Sequence, residues 1–330
     1  MQLKGKPVLV TGGAGFIASH LIELFDQLEI DYIALDNLSG GSIENIPSAI
    51  RKNRFIQGDV CDFNLMENLI KSSSCVIHMA SNVGVKNVIS NPLDNIETNI
   101  NSLKHLAESC AINQIPLIFF STSLAYSHHQ EKKELFSEDD QTYALGFHPV
   151  SIYVTAKKTG ELLCEYYREL MGLKYIIIRP FNIIGIRQRS DSGMVVPSFI
   201  ESALLNKKIN IYGSGNQTRT FSDVKVAVKL LWSLIQNENS YGEIFNLATT
   251  DTPITILDLA KIIVKIINEP IEIKFTPIGK IYGQNYRDVE YRSPSLAKLR
   301  QHISFWENTD LEQTIKQIIE NEKNILTNNN

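Results

Sequence analysis

The sequence predicts an α/β fold: a doubly wound parallel sheet with a smaller mixed α/β lobe. Three observations carry this. Short, continuously apolar runs alternate with longer amphipathic stretches. A glycine-rich turn, T-G-G-A-G-F-I, follows the first run, and the alternation loosens after Arg179-Pro180. Continuous apolar runs separated by helical patterns mark strands buried on both faces, the mark of a parallel sheet covered by helices.

The runs Pro7–Val10, Tyr32–Leu35, Arg54–Gln57, Cys75–His78, Pro116–Phe120 and Lys174–Ile178 are predicted strands. Ala14–Leu28, Pro92–Asn113 and Ile152–Met171 carry the helical period. Right-handed crossovers place the ligand crevice at the carboxyl ends of the strands. Beyond Pro180, short strands near Ile209–Tyr212 and Ile271–Phe275 mix with helices near Val196–Asn206, Thr255–Asn268 and Asp310–Glu320. The stretch 221–248, a helix then E-I-F-N-L, is expected to rejoin the first sheet. Residues 1–180 therefore read as one domain, rejoined by about 221–248, and 181–330 as an interleaved lobe. The tail N-I-L-T-N-N-N is expected to fray.

With 330 residues, 43% of them hydrophobic, the chain can bury a large core. A net charge of −4 gives no overall basic signature, so nucleic acid is not an expected partner. Cys61, Cys75, Cys110 and Cys164 are widely spaced and form no C-x-x-C, which suits free thiols in a reducing compartment. No histidine pattern suits a metal; His128-His129 lack a third ligand nearby. No apolar run reaches the roughly 18 residues of a membrane span, and no secretory leader precedes the first strand. A cytoplasmic protein without membrane contact is expected.

The turn after the first strand is the cofactor signal. Gly12 and Gly15 allow a tight turn and close backbone approach. The helix beginning at Phe16 and Ile17 then offers unpaired N–H groups to a pyrophosphate. The spacing is tighter than G-x-G-x-x-G. Asp36 follows Gly15 by 21 residues, at the end of the second strand. A carboxylate there accepts ribose hydroxyls and repels a 2′-phosphate, which selects NAD and defines a Rossmann-type domain. Asn37 stands beside it. Asp59 and Val60, after the third strand, are placed to touch adenine, and Ala80 closes the fourth strand beside the cofactor. Lys86 is a candidate for phosphate neutralisation or simply an exposed lysine.

Tyr153 and Lys157 lie at i, i+4 and share a helix face. A free phenol with pKa near 10 is a poor base at neutral pH. A nearby ammonium and an oxidised nicotinamide both favour the phenolate, so Lys157 is expected to acidify Tyr153. Thr122, in S-T-S after the fifth strand, supplies a second hydroxyl. These three are the candidate catalytic residues.

The motifs T-G-G-A-G-F-I-A-S, D-N-L-S-G-G-S-I-E-N-I, G-D-V-C-D, H-M-A-S, S-T-S-L-A-Y-S, Y-V-T-A-K, R-P-F-N-I-I-G and Y-G-S-G-N-Q-T-R-T-F-S-D-V occur in this order. The chain resembles the extended short-chain dehydrogenase/reductase superfamily, in its nucleotide-sugar epimerase/dehydratase branch. The resemblance runs nearly end to end. It implies a nucleoside diphosphate sugar, usually a UDP-sugar, bound by the C-terminal lobe, and a homodimer. It implies that Asn182 and Arg219 meet the diphosphate, with Arg287 as a second phosphate contact. It places Ser123 by the sugar, and Val196 with Pro197 where the base packs. It sets Arg292 in the sugar pocket. A cation there, or at Arg187 or Arg189, suits a uronate carboxylate, though exposed arginines are the plainer account.

Dehydratases of this family carry Thr-Asp-Glu, and uronate decarboxylases Thr-Ser-Glu, where this chain has Thr122-Ser123-Leu124. Leu124 has no acid–base chemistry. What remains is oxidation and re-reduction at C4, which matches a 4-epimerase working through a 4-keto sugar. A decarboxylase, 4,6-dehydratase or reductase of the same family is the alternative. A non-catalytic NAD-binding sensor or scaffold is the second alternative. Two stretches depart from the pattern: His128–Pro149 has no assignment, and N-Y-R-D replaces the usual Arg-Pro-Gly-Asp at 285–288. Sequence does not separate dimer-forming positions on Pro92–Asn113 and Ile152–Met171 from core positions.

Overall fold

The computed structural model describes residues 5–81, 97–126, 135–142, 151–282 and 289–328. Each of the six apolar runs forms a strand: β1 (Val8–Thr11), β2 (Tyr32–Asp36), β3 (Phe55–Gln57), β4 (Cys75–His78), β5 (Leu117–Phe120) and β6 (Tyr175–Pro180). Five further short strands follow: β7 (Ile183–Ile184), β8 (Lys208–Tyr212), β9 (Thr218–Arg219), β10 (Ser222–Asp223) and β11 (Glu243–Leu247). The main sheet has seven parallel strands in the order β3-β2-β1-β4-β5-β6-β11. The order reverses between β1 and β4, which opens the crevice at their carboxyl ends.

Strand periodicity divides the core. Val8, Val10, Ala34, Ile77, Ile118, Phe120, Ile176, Ile178, Phe245 and Leu247 face one side, under the helices Phe16–Gln27 and Val224–Gln236. Leu9, Leu35, Val76, Leu117, Phe119, Tyr175 and Ile177 face the other, under Phe63–Lys71, Ser102–Ile112 and Ser151–Met171. Successive side chains point to opposite faces, so runs without polar interruption are what a doubly covered sheet needs.

Gly160 sets the height of the Ser151–Met171 helix. A Cβ at Gly160 would lie 2.5 Å from Leu103 Cδ2 and 2.6 Å from Phe119 Cζ. Only a bare α-carbon lets that helix settle against β5 and the Ser102–Ile112 helix. Its outer face leaves Leu162, Tyr166 and Leu170 exposed at i, i+4, i+8, with Ile112 exposed on the adjacent helix.

The second core lies in the lobe. Val196, Phe199, Ile200, Ile209, Ile211, Leu259, Ile263, Ile315, Ile318 and Ile319 bury one another between the helices Val195–Asn206, Ile256–Ile267 and Leu311–Asn328. Three more strands complete it: β12 (Ile254–Thr255), β13 (Glu272–Thr276) and β14 (Tyr291–Arg292). β13 pairs with β8, and β9 lies between β12 and β14.

Two expectations change. The stretch predicted as one helix over Pro92–Asn113 has, in its described part, a π-helical turn over Glu97–Asn101 before the α-helix Ser102–Ile112. The tail does not fray where expected: the last helix runs from Leu311 to Asn328. No glycine or proline stops it, and buried Ile315, Ile318 and Ile319 anchor its first turns.

Candidate active site

The turn after β1 is pressed between two strand ends. Gly12 has φ +69°, and a Cβ there would lie 2.8 Å from Ala80 N. A Cβ on Gly13 would lie 2.8 Å from Ala34 Cβ. Gly15 is extended and starts the Phe16–Gln27 helix without any side-chain cap. The first N–H groups of that helix, at Phe16 and Ile17, are thus not covered by a cap of the chain's own, which suits a bound phosphate.

Asp36 closes the turn from β2. Its Oδ2 accepts Ala14 N at 3.0 Å and its Oδ1 accepts Leu38 N at 2.7 Å. Burial raises its carboxyl, and the two backbone N–H groups offset part of that rise. A carboxylate offers about four lone-pair sites, so capacity remains for ribose hydroxyls. Asn37 Nδ2 donates to Asp59 Oδ2 at 2.7 Å, and Asp59 Oδ1 accepts Cys61 N at 2.8 Å. Val60 is buried beside them. The glycine cradle, the uncapped helix and Asp36 fit an adenine dinucleotide. Lys86 lies outside the described residues.

Thr11 ties β1 to β4. Its Oγ1 accepts Ala80 N at 3.2 Å and lies 2.8 Å from His78 Nδ1. Burial, and then the charge of Lys157, push His78 down to about 3, so the ring is neutral.

Tyr153, Lys157 and Thr122 come together as expected from their order in the chain. The hydroxyls of Thr122 and Ser81 both act to lower the Tyr153 phenol. Thr122 Oγ1 accepts Leu124 N at 3.1 Å. Ser123 is buried on the turn Ser123–Tyr126 that follows Thr122. Leu124 packs on Tyr153 and Val154. The Lys157 ammonium lies 5.9 Å from the Tyr153 ring centre and 5.1 Å from that of Phe119.

The electrostatics correct one expectation. Lys157 does not acidify Tyr153 in the protein alone. Burial pushes the phenol up to about 12, against the pull of the Thr122 and Ser81 hydroxyls. Burial also pushes Lys157 down to about 7, so its own charge is partial at neutral pH. Desolvation outweighs the i, i+4 ammonium because both groups are buried together.

On the lobe side, Asn182 has φ +29°. Its Nδ2 donates to Thr220 O at 2.9 Å and its Oδ1 accepts Arg292 Nη2 at 3.2 Å. Arg219 and Arg292 are register partners on parallel β9 and β14, so both project to one face. Arg219 is buried and donates to Thr218 O at 2.7 Å. Arg287 lies outside the described residues. Val196 and Pro197 are turned inward: the first turn of their helix packs on the lobe core, so their side chains do not line a surface. Arg187 is paired with Glu23 and donates to Ser19, and the exposed Arg189 is paired with Asp191.

Sequence reasoning missed Asn99, whose Oδ1 accepts Ser81 Oγ at 2.6 Å. It sits in the π-helical turn, a local widening with no signature in a helical period. It also missed the role of 135–142, part of the unassigned stretch. Glu138 Oε1 accepts Asn246 N at 2.8 Å, and Phe136 N donates to Ser293 O at 2.8 Å.

The glycine cradle with Asp36, the Tyr–Lys–Thr cluster, and Asn182, Arg219 and Arg292 in the lobe fit an NAD-dependent enzyme of the extended short-chain dehydrogenase/reductase type. The profile of the NAD dependent epimerase/dehydratase family matches residues 8–248, and the chain belongs to that family. It is 31% identical over 317 residues to a UDP-N-acetyl-alpha-D-glucosaminuronate decarboxylase of Bacillus cytotoxicus, covering 96% of this chain and 97% of that one. The structure of UDP-glucose 4-epimerase from Thermotoga maritima with UDP-glucose is similar at TM-score 0.86 and 27% identity, covering 97% of this chain and 99% of that one. UDP-glucose 4-epimerase of Thermus thermophilus in complex with NAD is similar at TM-score 0.82 and 25% identity, covering 96% and 99%. Among the described residues no helix is long and apolar enough to cross a membrane.

Proposed function

We propose that this chain is a UDP-sugar 4-epimerase that works through a 4-keto intermediate. The observation that carries this is Leu124 packed on Tyr153. Elimination of water needs an acid at the leaving hydroxyl and a base at C5, and an apolar side chain supplies neither. Bound NAD would supply the reversible hydride acceptor for C4. Tyr153 takes the proton of the 4-hydroxyl and gives it back. Thr122 donates to the same oxygen, and Lys157 supports the phenolate and the cofactor ribose. Asn182 and Arg219 hold the diphosphate end while the ring turns over; a guanidinium suits that anion.

Decarboxylation is the second reading. In this reading Arg292, which is bonded to Asn182, supplies a cation to the uronate carboxylate. Oxidation at C4 of a uronate makes a β-keto acid, which loses CO₂ without a dedicated catalytic base. The missing Glu at position 124 therefore weighs less against this reaction than against dehydration. Incubation with UDP-glucose, UDP-N-acetylglucosamine and their uronates, followed by proton NMR, separates the two. The expected product is the C4 epimer at constant mass. Release of CO₂ from a uronate with no epimer formed would replace the first reading by the second.

The exposed Leu162, Tyr166 and Leu170 stripe, with Ile112, fits a second copy of the chain. Light scattering of Leu162→Glu/Leu170→Glu against the parent tests this, with a dimer becoming a monomer. The four unpaired cysteines suit a reducing cytoplasm.

A further inference from the structure

Asn246 interrupts the apolar run of β11, fully buried, beside its register partner Arg179 on parallel β6. Its Nδ2 donates to Phe136 O at 2.9 Å, its Oδ1 accepts Tyr126 Oη at 2.9 Å, and its backbone N donates to Glu138 Oε1 at 2.8 Å. A peptide carbonyl only accepts, so the amide has one orientation, with Nδ2 towards Phe136. Tyr126 must then donate to Oδ1, and its oxygen accepts Arg179 Nη1 at 2.5 Å. The bonds run one way, from guanidinium through phenol and amide to the Phe136 carbonyl.

The two ends of this chain of bonds lie on different elements of the site. At one end Arg179 holds Glu161, which stands on the catalytic helix at i+8 from Tyr153 and i+4 from Lys157. The three share the buried face of that helix, so the Arg179 grip fixes its rotation about its own axis. At the other end Phe136 is bridged to Pro294: its N donates to Ser293 O at 2.8 Å, and its O accepts Ser295 N at 2.7 Å. Ser293 directly follows Arg292, the last residue of β14. Arg292 Nη2 donates to Asn182 Oδ1, and Arg292 is the register partner of Arg219 on β9. An apolar side chain at 246 would fill the space without needing partners, and would hold neither end.

We propose that Asn246 is a positioning residue, which seats β14, and through it Asn182 and Arg219, against the helix that presents Tyr153. It acts through Phe136 on the lobe side and through Tyr126 and Arg179 on the helix side. Glu138 supports it by accepting its backbone N–H. This rests on the reading of the chain as a UDP-sugar enzyme whose diphosphate meets Asn182 and Arg219.

Calorimetric titration with UDP, and separately with NAD, tests it at a temperature where each variant is folded. UDP carries the diphosphate and needs no knowledge of the sugar. Asn246→Leu cuts both side-chain bonds and is expected to weaken UDP binding about tenfold and NAD binding by less than about twofold. Glu138→Leu removes the acceptor of Asn246 N and is expected to weaken UDP about three- to tenfold; Glu138→Gln keeps an oxygen acceptor there and is expected to restore it. A role in stability alone lowers the melting temperature and leaves the UDP affinity of the folded protein as it was. That outcome overturns the proposal and leaves the UDP-sugar reading in place. Equal losses of UDP and NAD affinity also overturn it, because they mark a general loosening. Where Asn246→Leu does not fold, the Glu138 pair decides: parent UDP affinity in Glu138→Leu overturns the proposal. A parent protein that binds no UDP overturns both readings.

Discussion

Arg179 grips Glu161 with two hydrogen bonds, Nε to Oε1 at 2.9 Å and Nη2 to Oε2 at 2.7 Å, with both side chains at most 4% exposed. The pair sits behind the catalytic cluster. Glu161 also accepts Ser121 Oγ at 2.5 Å, next to Thr122, and its helix carries Tyr153 and Lys157. Arg179 Nη1 donates to Tyr126 Oη at 2.5 Å, and Tyr126 donates to Asn246 Oδ1 at 2.9 Å. One buried network thus joins the end of β5, the catalytic helix, β6 and β11.

Removing Glu161 strands the buried Arg179 charge, and removing Arg179 leaves Glu161, among the described residues, only the Lys158 ammonium as an ion-pair partner, at 2.5 Å from Oε2. Arg179→Met is expected to cost about 3–5 kcal/mol of stability. The double variant Arg179→Met/Glu161→Leu is expected to cost less than the sum of its parts. Burial works to raise the Glu161 carboxyl, and Arg179 outweighs it and holds the group below its usual range. The pair's contribution is therefore complete above the unfolded carboxylate range and is lost as pH falls beneath it. Urea unfolding of the four proteins at two pH values checks both points. Strict additivity would contradict the coupling.

Lys157 gives the opposite sign. Its folded group titrates near 7 and its unfolded group near 10.5. Between those values the unfolded chain binds more protons, so stability rises with pH through that window. Below about 7 the cost of burying the ammonium is fully present. Lys157→Met is expected to raise the melting temperature of the NAD-free protein at pH 6, with the gain shrinking towards pH 10. The same change is expected to abolish turnover, since a site residue trades stability for function. A melting temperature that falls at pH 6 would show that Lys157 has a stabilising partner.

The fold was legible because its signals are local. Each apolar run is its own strand, and the parity of Val8, Leu9 and Val10 between two cores repeats along the sheet. Gly12, Asp36, Tyr153 and Lys157 were legible because each needs a particular residue type at a strand end or on a helix face. Asn99 and Glu138 were not. Asn99 depends on a π-turn that no hydrophobic period encodes, and Glu138 acts through Asn246, 108 positions away. The pairing of Arg187 with Glu23 was not legible either, because a guanidinium in a loop reads alike whether it meets a ligand or a carboxylate. The upward push of burial on Tyr153 was not legible because burial is a property of the assembled site.

Gly12→Ala tests the cradle. Its φ of +69° costs an alanine about 1–2 kcal/mol before any contact is counted. The new Cβ would sit 2.8 Å from Ala80 N, whose N–H is held by Thr11 Oγ1. Ala80 yields only by breaking that bond and opening the gap between β1 and β4. The expected outcome is a lower melting temperature together with at least a tenfold loss of NAD affinity. Calorimetric titration with NAD measures it. Unchanged affinity would place the pyrophosphate elsewhere.

Tyr153→Phe isolates the chemistry from the binding. The substitution keeps the ring against Leu124 and Val154 and removes one oxygen. The Thr122 and Ser81 hydroxyls keep their bonds with Leu124 N and Asn99 Oδ1. Stability is therefore expected to move by no more than about 1 kcal/mol. Loss of a positioned acid–base group lowers turnover by about 10²–10⁴-fold, with NAD binding unchanged. Progress curves with each UDP-sugar, beside NAD titrations of both proteins, read the two quantities separately. A variant that turns over at the parent rate would remove Tyr153 from the reaction.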